Sequence, residues 1–550
     1  MNCQSLLFLS GLFFSIIPCF VAAYEEPVYD HSAYSECKSV PEDALYNGGI
    51  MKDYWTIKNE VIQPENNSYN FVLNDLSGDT IYSFSSWVQI FDADSAVIKA
   101  SLKTANGTVK CIGNLIARPG CWSFLKGGFV LDFPSSYALL YFKRTDGAML
   151  NISISSVSLQ PFTYQQWRKN QQDTINKERK CTATIHISDV QGERVSGASI
   201  TVEQVSTHFP LGSAITKSIL GNPTYQKWFK ERFNAAVFED ELKWYSTERQ
   251  QGEVNYTIPD QMLEFVRANQ IIARGHNIFW EDPRYVPSWV RNLTGPQLKS
   301  AVNSRIQSLM NKYKNEFIHW DVDNEMLHYD FYEQRLGTNT SLEFFQTAQQ
   351  LDPLAKLFMN DYNVVETCND MNSTVDAYIF KLRDLKQGGV FMDGIGLEGH
   401  FTVPNPPLIR AVLDKLAALK LPIWLTEVDI SKNLDKETQA RYLEMVLREG
   451  FSHPGVNGIM LWTALHPNGC YQMCLTDKHF NNLPAGVIVD NLLKEWKTEV
   501  VHGETDEHGS FSFSGFLGEY NVTVKLGDRT ANSTFSLYRG DETRHLYVQL

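Results

Sequence analysis

The distribution of apolar residues changes texture along the chain. Between residues 24 and 162, short β-like runs follow one another with turns between them: Tyr69 to Leu73, Thr80 to Ile90, Ala96 to Leu102, Cys111 to Ile116, Phe129 to Phe133, Ala138 to Phe142 and Asn151 to Leu159. Such spacing predicts an all-β sandwich. Residues 163–180 are polar and charged and read as a linker or a short exposed helix. Two alternating strands then flank Asp189-Val190-Gln191-Gly192 within residues 181–206, and a second alternating region fills 500–550. Neither region holds enough strands to bury a core alone. The two are expected to pair as one small transthyretin-like or immunoglobulin-like β-sandwich, split around the block between them.

That block, residues 207–499, alternates β-like runs with amphipathic helical stretches, which predicts a parallel α/β fold. The strands are expected at 209–215, 235–238, 271–278, 317–322, 355–359, 394–397, 423–425 and 458–461. Helices are expected at 224–233, 258–268, 295–313, 341–351, 374–387, 406–419 and 436–448. Eight alternating units over about 290 residues fit a (β/α)8 barrel better than an open sheet.

The polar groups fall where these strands end: Glu239-Asp240-Glu241, Gly275-His276-Asn277, Asp323-Asn324-Glu325, Asn360-Asp361, Glu398-Gly399-His400, Glu427 and Trp462. A barrel collects the C-terminal ends of its strands on one face, so these groups converge there. One polar strand end is usually a satisfied cap or turn, and seven of eight exceed that explanation. Two of the ends stand out. The apolar run Phe317 to Val322 stops in Asp323-Asn324-Glu325, and Leu421-Pro422-Ile423-Trp424-Leu425-Thr426 stops in Glu427. Two buried strands that each present a glutamate suggest a carboxylate pair of the kind that cleaves glycosidic bonds.

Composition narrows the setting. The chain has 550 residues, enough for two to four domains, and a formal net charge of -14. That charge argues against a nucleic-acid partner, which calls for a basic face. Residues 1–23 carry an apolar run, Leu6 to Val21, ending in the small residues Val21-Ala22-Ala23, and read as a signal peptide. No later run is long enough to span a bilayer. Nine Asn-x-Ser/Thr sequons, at Asn66, Asn106, Asn151, Asn255, Asn292, Asn339, Asn372, Asn521 and Asn532, agree with a secreted glycoprotein. Beyond the leader, seven cysteines remain (Cys37, Cys111, Cys121, Cys181, Cys368, Cys470 and Cys474), so at least one is free or pairs between molecules. Cys470 with Cys474 is the first expectation for a local disulfide, with a metal site as the alternative, and Cys111 with Cys121 is a second plausible pair.

Ordered motifs then carry a resemblance. Trp320-Asp321-Val322-Asp323-Asn324-Glu325, Leu425-Thr426-Glu427-Val428-Asp429, Gly394-Ile395-Gly396-Leu397-Glu398-Gly399-His400, Arg274-Gly275-His276 and Leu242-Lys243-Trp244 resemble the motif set of family 10 glycoside hydrolases. Phe279-Trp280-Glu281-Asp282-Pro283 and Cys470-Tyr471-Gln472-Met473-Cys474 resemble the plant members. In the first β region, Asn47-Gly48-Gly49, Trp87, Gly120-Cys121-Trp122 and residues 157–162 look like a jelly-roll carbohydrate-binding module of family 22 type. There Trp55, Trp87, Trp122, Tyr82 and Tyr141 could stack on sugars, although aromatics of this kind are more often core.

The resemblance implies a TIM barrel and a retaining endo-1,4-β-xylanase of the plant cell wall or apoplast. Its partners would be xylan and xylo-oligosaccharides, with no metal, no cofactor, no membrane contact and a monomeric state. Glu325 would be the acid/base and Glu427 the nucleophile, ~5–5.5 Å apart. Asn324 would bond the sugar 2-hydroxyl, and His400 would orient Glu427. Lys243, His276 and Trp280 would hold the −1 sugar, and Trp462 would wall it. Taken alone, His276 or His400 reads more often as a structural histidine and Lys243 as a surface charge. Asp321 and Asp429 are expected to be supporting, and Asp323 and Asp361 to cap helices. Three positions depart from the pattern common in bacterial members: Asp240 in place of asparagine, Glu398 in place of glutamine and Glu281 in place of histidine. Asp240 and Glu398 add negative charge near the −1 sugar. Two alternatives follow: a xylan endotransglycosylase using the same pair, or a weakly active xylan-binding wall protein.

Overall fold

The computed structural model of the chain describes residues 26–46, 69–540 and 542–550. The apolar leader, Asn47-Gly48-Gly49, Trp55 and the Asn66 sequon lie outside the described residues. Eight parallel strands form a closed ring: Leu211–Ile215, Ala235–Phe238, Ile272–Gly275, His319–Asp321, Lys356–Asp361, Gly394–Leu397, Ile423–Ile430 and Val456–Leu461. Each pairs with its sequence neighbour, and the first closes on the eighth through Leu211↔Ile459 and Ser213↔Leu461. Helices cover the outside of this barrel, among them Gly295–Lys312, Pro406–Ala417 and Lys436–Ser452. The seventh strand runs five residues beyond its expected end, because Glu427 and Asp429 still pair along the strand Ile423–Ile430.

Alternation along these strands divides the core. One set of residues, including Ile215, Phe238, Trp320, Leu357 and Leu425, packs outward under the helices. The opposite set, Ala214, Ala235, Val237, Phe358, Trp424, Met460 and Trp462, fills the ring. The interior also holds Arg274 and His319, both buried, against the rings of Phe358 and Trp424. Gly275 is needed on the third strand, since a Cβ there would lie 2.4 Å from the Trp320 ring.

Two β-sandwiches flank the barrel. The first packs a four-stranded antiparallel sheet (Tyr69–Leu76, Ser135–Arg144, Ala96–Thr104, Val109–Ala117) on a three-stranded one (Ser123–Leu131, Thr80–Ile90, Ile152–Thr163). Tyr82 and Trp87 are buried here, Tyr82 stacked on Phe129 and Trp87 against Phe124, so neither can stack on a sugar. Trp122 and Tyr141 are half-buried. In the second sandwich, strand Lys180–Ser188 lies between Ser510–Phe516 and Arg544–Gln549. Its other sheet sets Ser199–Thr207 between Val501–Glu504 and Gly518–Leu526. Strands from both sides of the barrel therefore share one core, which contains Ile185, Ile200, Val202, Tyr520 and Val524.

Two expectations need correction. Residues 163–180 are not a linker but a helix, exposed on one side and docked on the other. They form helix Tyr164–Glu178, opened by a reciprocal Thr163–Gln166 capping box, with Trp167, Gln171 and Ile175 buried. The four-residue spacing of those three makes a narrow buried stripe, which packs on Lys436–Ser452, where Trp167 donates to Glu449 at 2.5 Å and Gln171 does so at 2.8 Å. Cys111 and Cys121 also do not pair with each other. Cys37 joins Cys121, and Cys111 joins Cys368 across 257 residues of sequence, tying the first sandwich to the barrel. Cys470 pairs with Cys474, and Cys181 is a free buried thiol.

Candidate active site

The strand ends open into a cleft of about 660 Å³. Glu325, Glu427, Asp240, Lys243, His276, Trp280, Asn324, Glu398, His400 and Trp462 all line it. Tyr245, Tyr285, Tyr329, Tyr362 and Tyr471 add aromatic walls.

Glu325 sits just beyond the short strand Asp323–Asn324, in a left-handed backbone conformation with φ of 59°. A residue with a Cβ adopts this only at a cost of about 1 kcal/mol or more, and such strain collects at functional sites. The turn is held by the Glu325 N–H donating to the Asn360 carbonyl at 3.0 Å and by the His328 and Tyr329 N–H groups donating back to Glu325. Asp361 secures the next residues. It accepts from the Leu327 N–H at 2.8 Å and from His328 Nδ1 at 2.6 Å. Asp361 is thus a clamp on the Glu325 turn rather than a helix cap. Asp323 is buried beside Glu281 and Ser341 and accepts no backbone N–H of a following helix among the described residues.

Glu427 projects from the seventh strand and is fixed from several sides. Asn360 Nδ2 donates to its Oε1 at 3.0 Å. His276 Nε2 lies 3.8 Å from Oε1, and His400 Nε2 lies 3.6 Å from Oε2. At this length the His400 contact with Glu427 is a charge contact. Asn360 is the hub. Its amide also reaches Asn324 Oδ1 at 3.0 Å and Glu398 Oε1 at 3.3 Å, while its Oδ1 accepts from Thr426. Two amide protons facing three acceptors hold the fourth, fifth, sixth and seventh strand ends in one arrangement.

A chain of polar contacts supports Glu427 from the barrel floor. Arg274 donates to Asp321 at 2.7 Å, and Asp321 Oδ2 lies 2.9 Å from His276 Nδ1. Asp321 is fully buried, so this pairing fixes the His276 ring and turns Nε2 to Glu427. Lys243 Nζ lies 4.5 Å over the Trp280 ring and 3.4 Å from Asp240. Trp280 in turn stacks on Tyr285 at 4.0 Å. Of the three departures from the common pattern, Asp240 and Glu398 face the cleft. Glu281 does not: it is fully buried and accepts the Tyr332 N–H.

These surroundings separate the two glutamates chemically. Burial first, then the negative charges of Asp361 and Glu427, push the Glu325 carboxyl up to about 8. Burial would raise Glu427 as well, but His276, His400 and Lys243 overcome it and bring that carboxyl down to about 2. One cleft thus contains a carboxyl that keeps its proton at neutral pH and a carboxylate that stays ionised. Glu398 is pushed well up by burial and by its neighbours Glu427 and Glu325.

Two cleft residues escaped the sequence reading. Glu239 and His466 form a close ion pair across the cleft, and they are 227 residues apart in sequence. Glu239 was visible only as one of three acidic residues, and nothing local marks His466 as its partner. Asn360 was visible as a strand end but not as the hub.

The chain resembles known proteins over most of its length. Residues 201–482 match the model of glycosyl hydrolase family 10. A relative from Arabidopsis thaliana called endo-1,4-beta-xylanase 5-like is 34% identical over 513 residues, covering 90% of this chain and 89% of the relative. Endo-1,4-beta-xylanase 4 of the same plant is 36% identical over 544 residues, covering 95% of this chain and 94% of its own. Among solved structures, native xylanase 10B from Thermotoga maritima is 24% identical and covers 52% of this chain and 95% of its own, with a TM-score of 0.47. By its matched domain and its full-length relatives, the chain belongs to glycosyl hydrolase family 10.

Proposed function

We propose that this protein is an endo-1,4-β-xylanase that cleaves internal bonds of plant cell-wall xylan with retention of configuration. The observation that carries the reading is the opposite ionisation of Glu325 and Glu427 in one cleft. Paired carboxyls whose environments push them apart divide the acid and base work of a reaction. In the first step Glu427 attacks the anomeric carbon while Glu325 gives its proton to the leaving glycosidic oxygen. The carbon–oxygen bond to the leaving sugar breaks, and an ester bond to Glu427 forms. In the second step Glu325, now ionised, takes a proton from water as that water attacks the same carbon and frees Glu427. Asn324 engages the 2-hydroxyl, where hydrogen bonding strengthens in the transition state. Lys243, His276, Trp280 and Trp462 hold the reacting sugar, and Asp240 and Glu398 adjust the charge around it.

The names of the Arabidopsis relatives support xylan as the substrate. Three disulfides, together with the exposed position of every described sequon asparagine (Asn106, Asn151, Asn255, Asn292, Asn339, Asn372, Asn521 and Asn532), support secretion to the wall. Among the described residues no helix is long and apolar enough to cross a membrane.

Incubation with arabinoxylan, followed by proton NMR from the first seconds, tests the reading. The β-anomer should appear first, and Glu427→Ala should lower kcat by roughly 10⁴-fold or more, as loss of a nucleophile does. An α-anomer first, or near-normal cleavage by Glu427→Ala, would overturn it. Labelled xylo-oligosaccharide acceptors in the same incubation measure how much glycosyl-enzyme is resolved by sugar instead of water.

A further inference from the structure

Three side chains of the cleft also meet as donors to a possible ion. His400 Nε2 lies 3.4 Å from Glu398 Oε2 and 3.6 Å from Glu427 Oε2. The ligand atoms offered by these three residues all fall within 4.8 Å of one another. A zinc-type ion bound tetrahedrally at about 2.0–2.2 Å holds its ligand atoms roughly 3.3–3.5 Å apart. Two edges of such a tetrahedron are therefore nearly in place before any ion arrives. All three residues line the cleft, so the remaining corner is left for water or substrate.

The residue behind the histidine gives an independent indication. Asp429 Oδ1 is 3.0 Å from His400 Nδ1, the far side of the imidazole from the cluster. Asp429 is fully buried, and neither its two oxygens nor His400 Nδ1 makes a well-directed hydrogen bond. A carboxylate behind an imidazole is what fixes the tautomer and orientation of a metal-binding histidine. Charge points the same way. Glu398 and Glu427 both face the cleft, and a dication held there would sit between two carboxyl groups. In a second histidine–carboxylate group, His31, Asp414 and His453, the carboxylate is already engaged by other side chains. There Lys126 lies 2.7 Å from Asp414 Oδ2 and Tyr29 donates to the same oxygen at 2.8 Å.

We propose that Glu398, His400 and Glu427 form a three-ligand site for a divalent transition metal of the zinc class, and that the bound ion inhibits the enzyme by occupying Glu427. One imidazole with two carboxylates suits zinc, copper or nickel better than magnesium, which prefers oxygen ligands alone. Binding depends only on the geometry, whereas inhibition rests on the reading of Glu427 as nucleophile.

Calorimetric titration of the full chain with zinc chloride at neutral pH, with magnesium chloride as control, tests the site. The wild-type chain should bind zinc and not magnesium, and the near-isosteric Glu398→Gln should bind zinc at least about tenfold more weakly. Cobalt(II) gives a second readout: the intense visible bands of tetrahedral coordination should appear in the wild type and fade in both Glu398→Gln and His400→Gln. Circular dichroism establishes that each variant is folded. Absence of zinc binding by the wild type, or unchanged affinity in folded Glu398→Gln, overturns the site, and xylan cleavage by the same sample then leaves the xylanase reading intact. Glu398-dependent zinc binding in a chain that does not cleave xylan upholds the site and overturns the xylanase reading. Where both hold, zinc should inhibit in competition with xylan, and cleavage unaffected at saturating zinc would overturn the inhibitory role.

Discussion

Glu325 and Glu427 carry the same side chain and are both buried, yet their proton affinities are pushed in opposite directions, because burial of Glu325 is reinforced by carboxylates while that of Glu427 is overcome by His276, His400 and Lys243. This sets the pH profile of the proposed reaction. The profile of kcat/KM should be bell-shaped, with its alkaline limb near pH 8 as Glu325 loses its proton and its acid limb toward pH 2 as Glu427 gains one. The two limbs report the pair as a unit. On the alkaline side stability follows the same course as activity. The folded state raises the Glu325 carboxyl from 4.5 to about 8, so its favourable contribution is complete below the unfolded value and is lost as pH rises through about 8. Glu325→Gln, which cannot ionise, should therefore melt higher than the wild type. The gap should grow from about pH 5 to pH 8 and reach on the order of 2–4 kcal/mol. Melting curves across that range check it, and a gap that is constant with pH would mean that Glu325 is not held protonated.

Helix Gly295–Lys312 shows how an element remote from the cleft shapes it. Its Arg305 is buried and donates to the Leu242 carbonyl at 2.7 Å, to Thr247 Oγ1 at 2.9 Å, and to the Asn277 and Ile278 carbonyls at 3.3 Å. One guanidinium thus ties the segment bearing Lys243 to the segment bearing His276 and Trp280. Arg305→Met would leave these carbonyls buried without donors, at about 1–3 kcal/mol for each that water cannot reach. We expect a lower melting temperature and a fall of roughly tenfold or more in kcat/KM, mostly in KM, measured on xylohexaose. A variant with normal KM would show that the two loops hold their positions without Arg305.

The same element explains what could and could not be read from sequence. Strand ends were legible because an apolar run stopping in a carboxylate is a local pattern, as at Phe317 to Glu325. Arg305 looked like one more basic residue of an amphipathic helix, and its four acceptors come from segments 27 to 63 residues away. Asn360 was read as an ordinary strand end for the same reason, since all its acceptors lie on other strands. Helix Tyr164–Glu178 was hidden by its polarity: three buried residues suffice to dock it, too few to raise the apolar content of the segment. Cys470 with Cys474 was legible because the pair is local, whereas Cys111 with Cys121 was misread: the two are close in sequence, but adjacency in space is set by where strand Val109–Ala117 meets the barrel at Cys368.

The first sandwich and the barrel meet across a buried ionic seam. Asp414 on helix Pro406–Ala417 takes contacts from Lys126 at 2.7 Å, Tyr29 at 2.8 Å, His31 at 2.7 Å and His453 at 3.0 Å. Beside it Lys415 pairs with Asp376 at 2.7 Å and donates to the Phe124 carbonyl. The Lys126 side chain has no exposed surface, so Asp414→Ala strands a buried ammonium and should cost about 3–5 kcal/mol, read by thermal unfolding. Adding Lys126→Met should recover part of that loss, because the uncompensated charge is then gone. Equal destabilisation by the single and double variants would place the cost in packing instead. The three-stranded sheet of this sandwich is thereby engaged with the barrel through Phe124, Lys126 and Gly128, whose carbonyl accepts from Asn405. The geometry makes the sandwich a fixed part of the enzyme body rather than a tethered arm.

Trapping the covalent intermediate tests the assignment of the carboxylate pair most directly. A 2-deoxy-2-fluoro xylobioside with a good leaving group slows the second step more than the first, and peptide mapping by mass spectrometry then locates the sugar. The expected result is one fluoro-disaccharide per chain, bonded to Glu427. An adduct on Glu325 or Glu398, or turnover of xylan to α-anomeric products with no adduct, would contradict it.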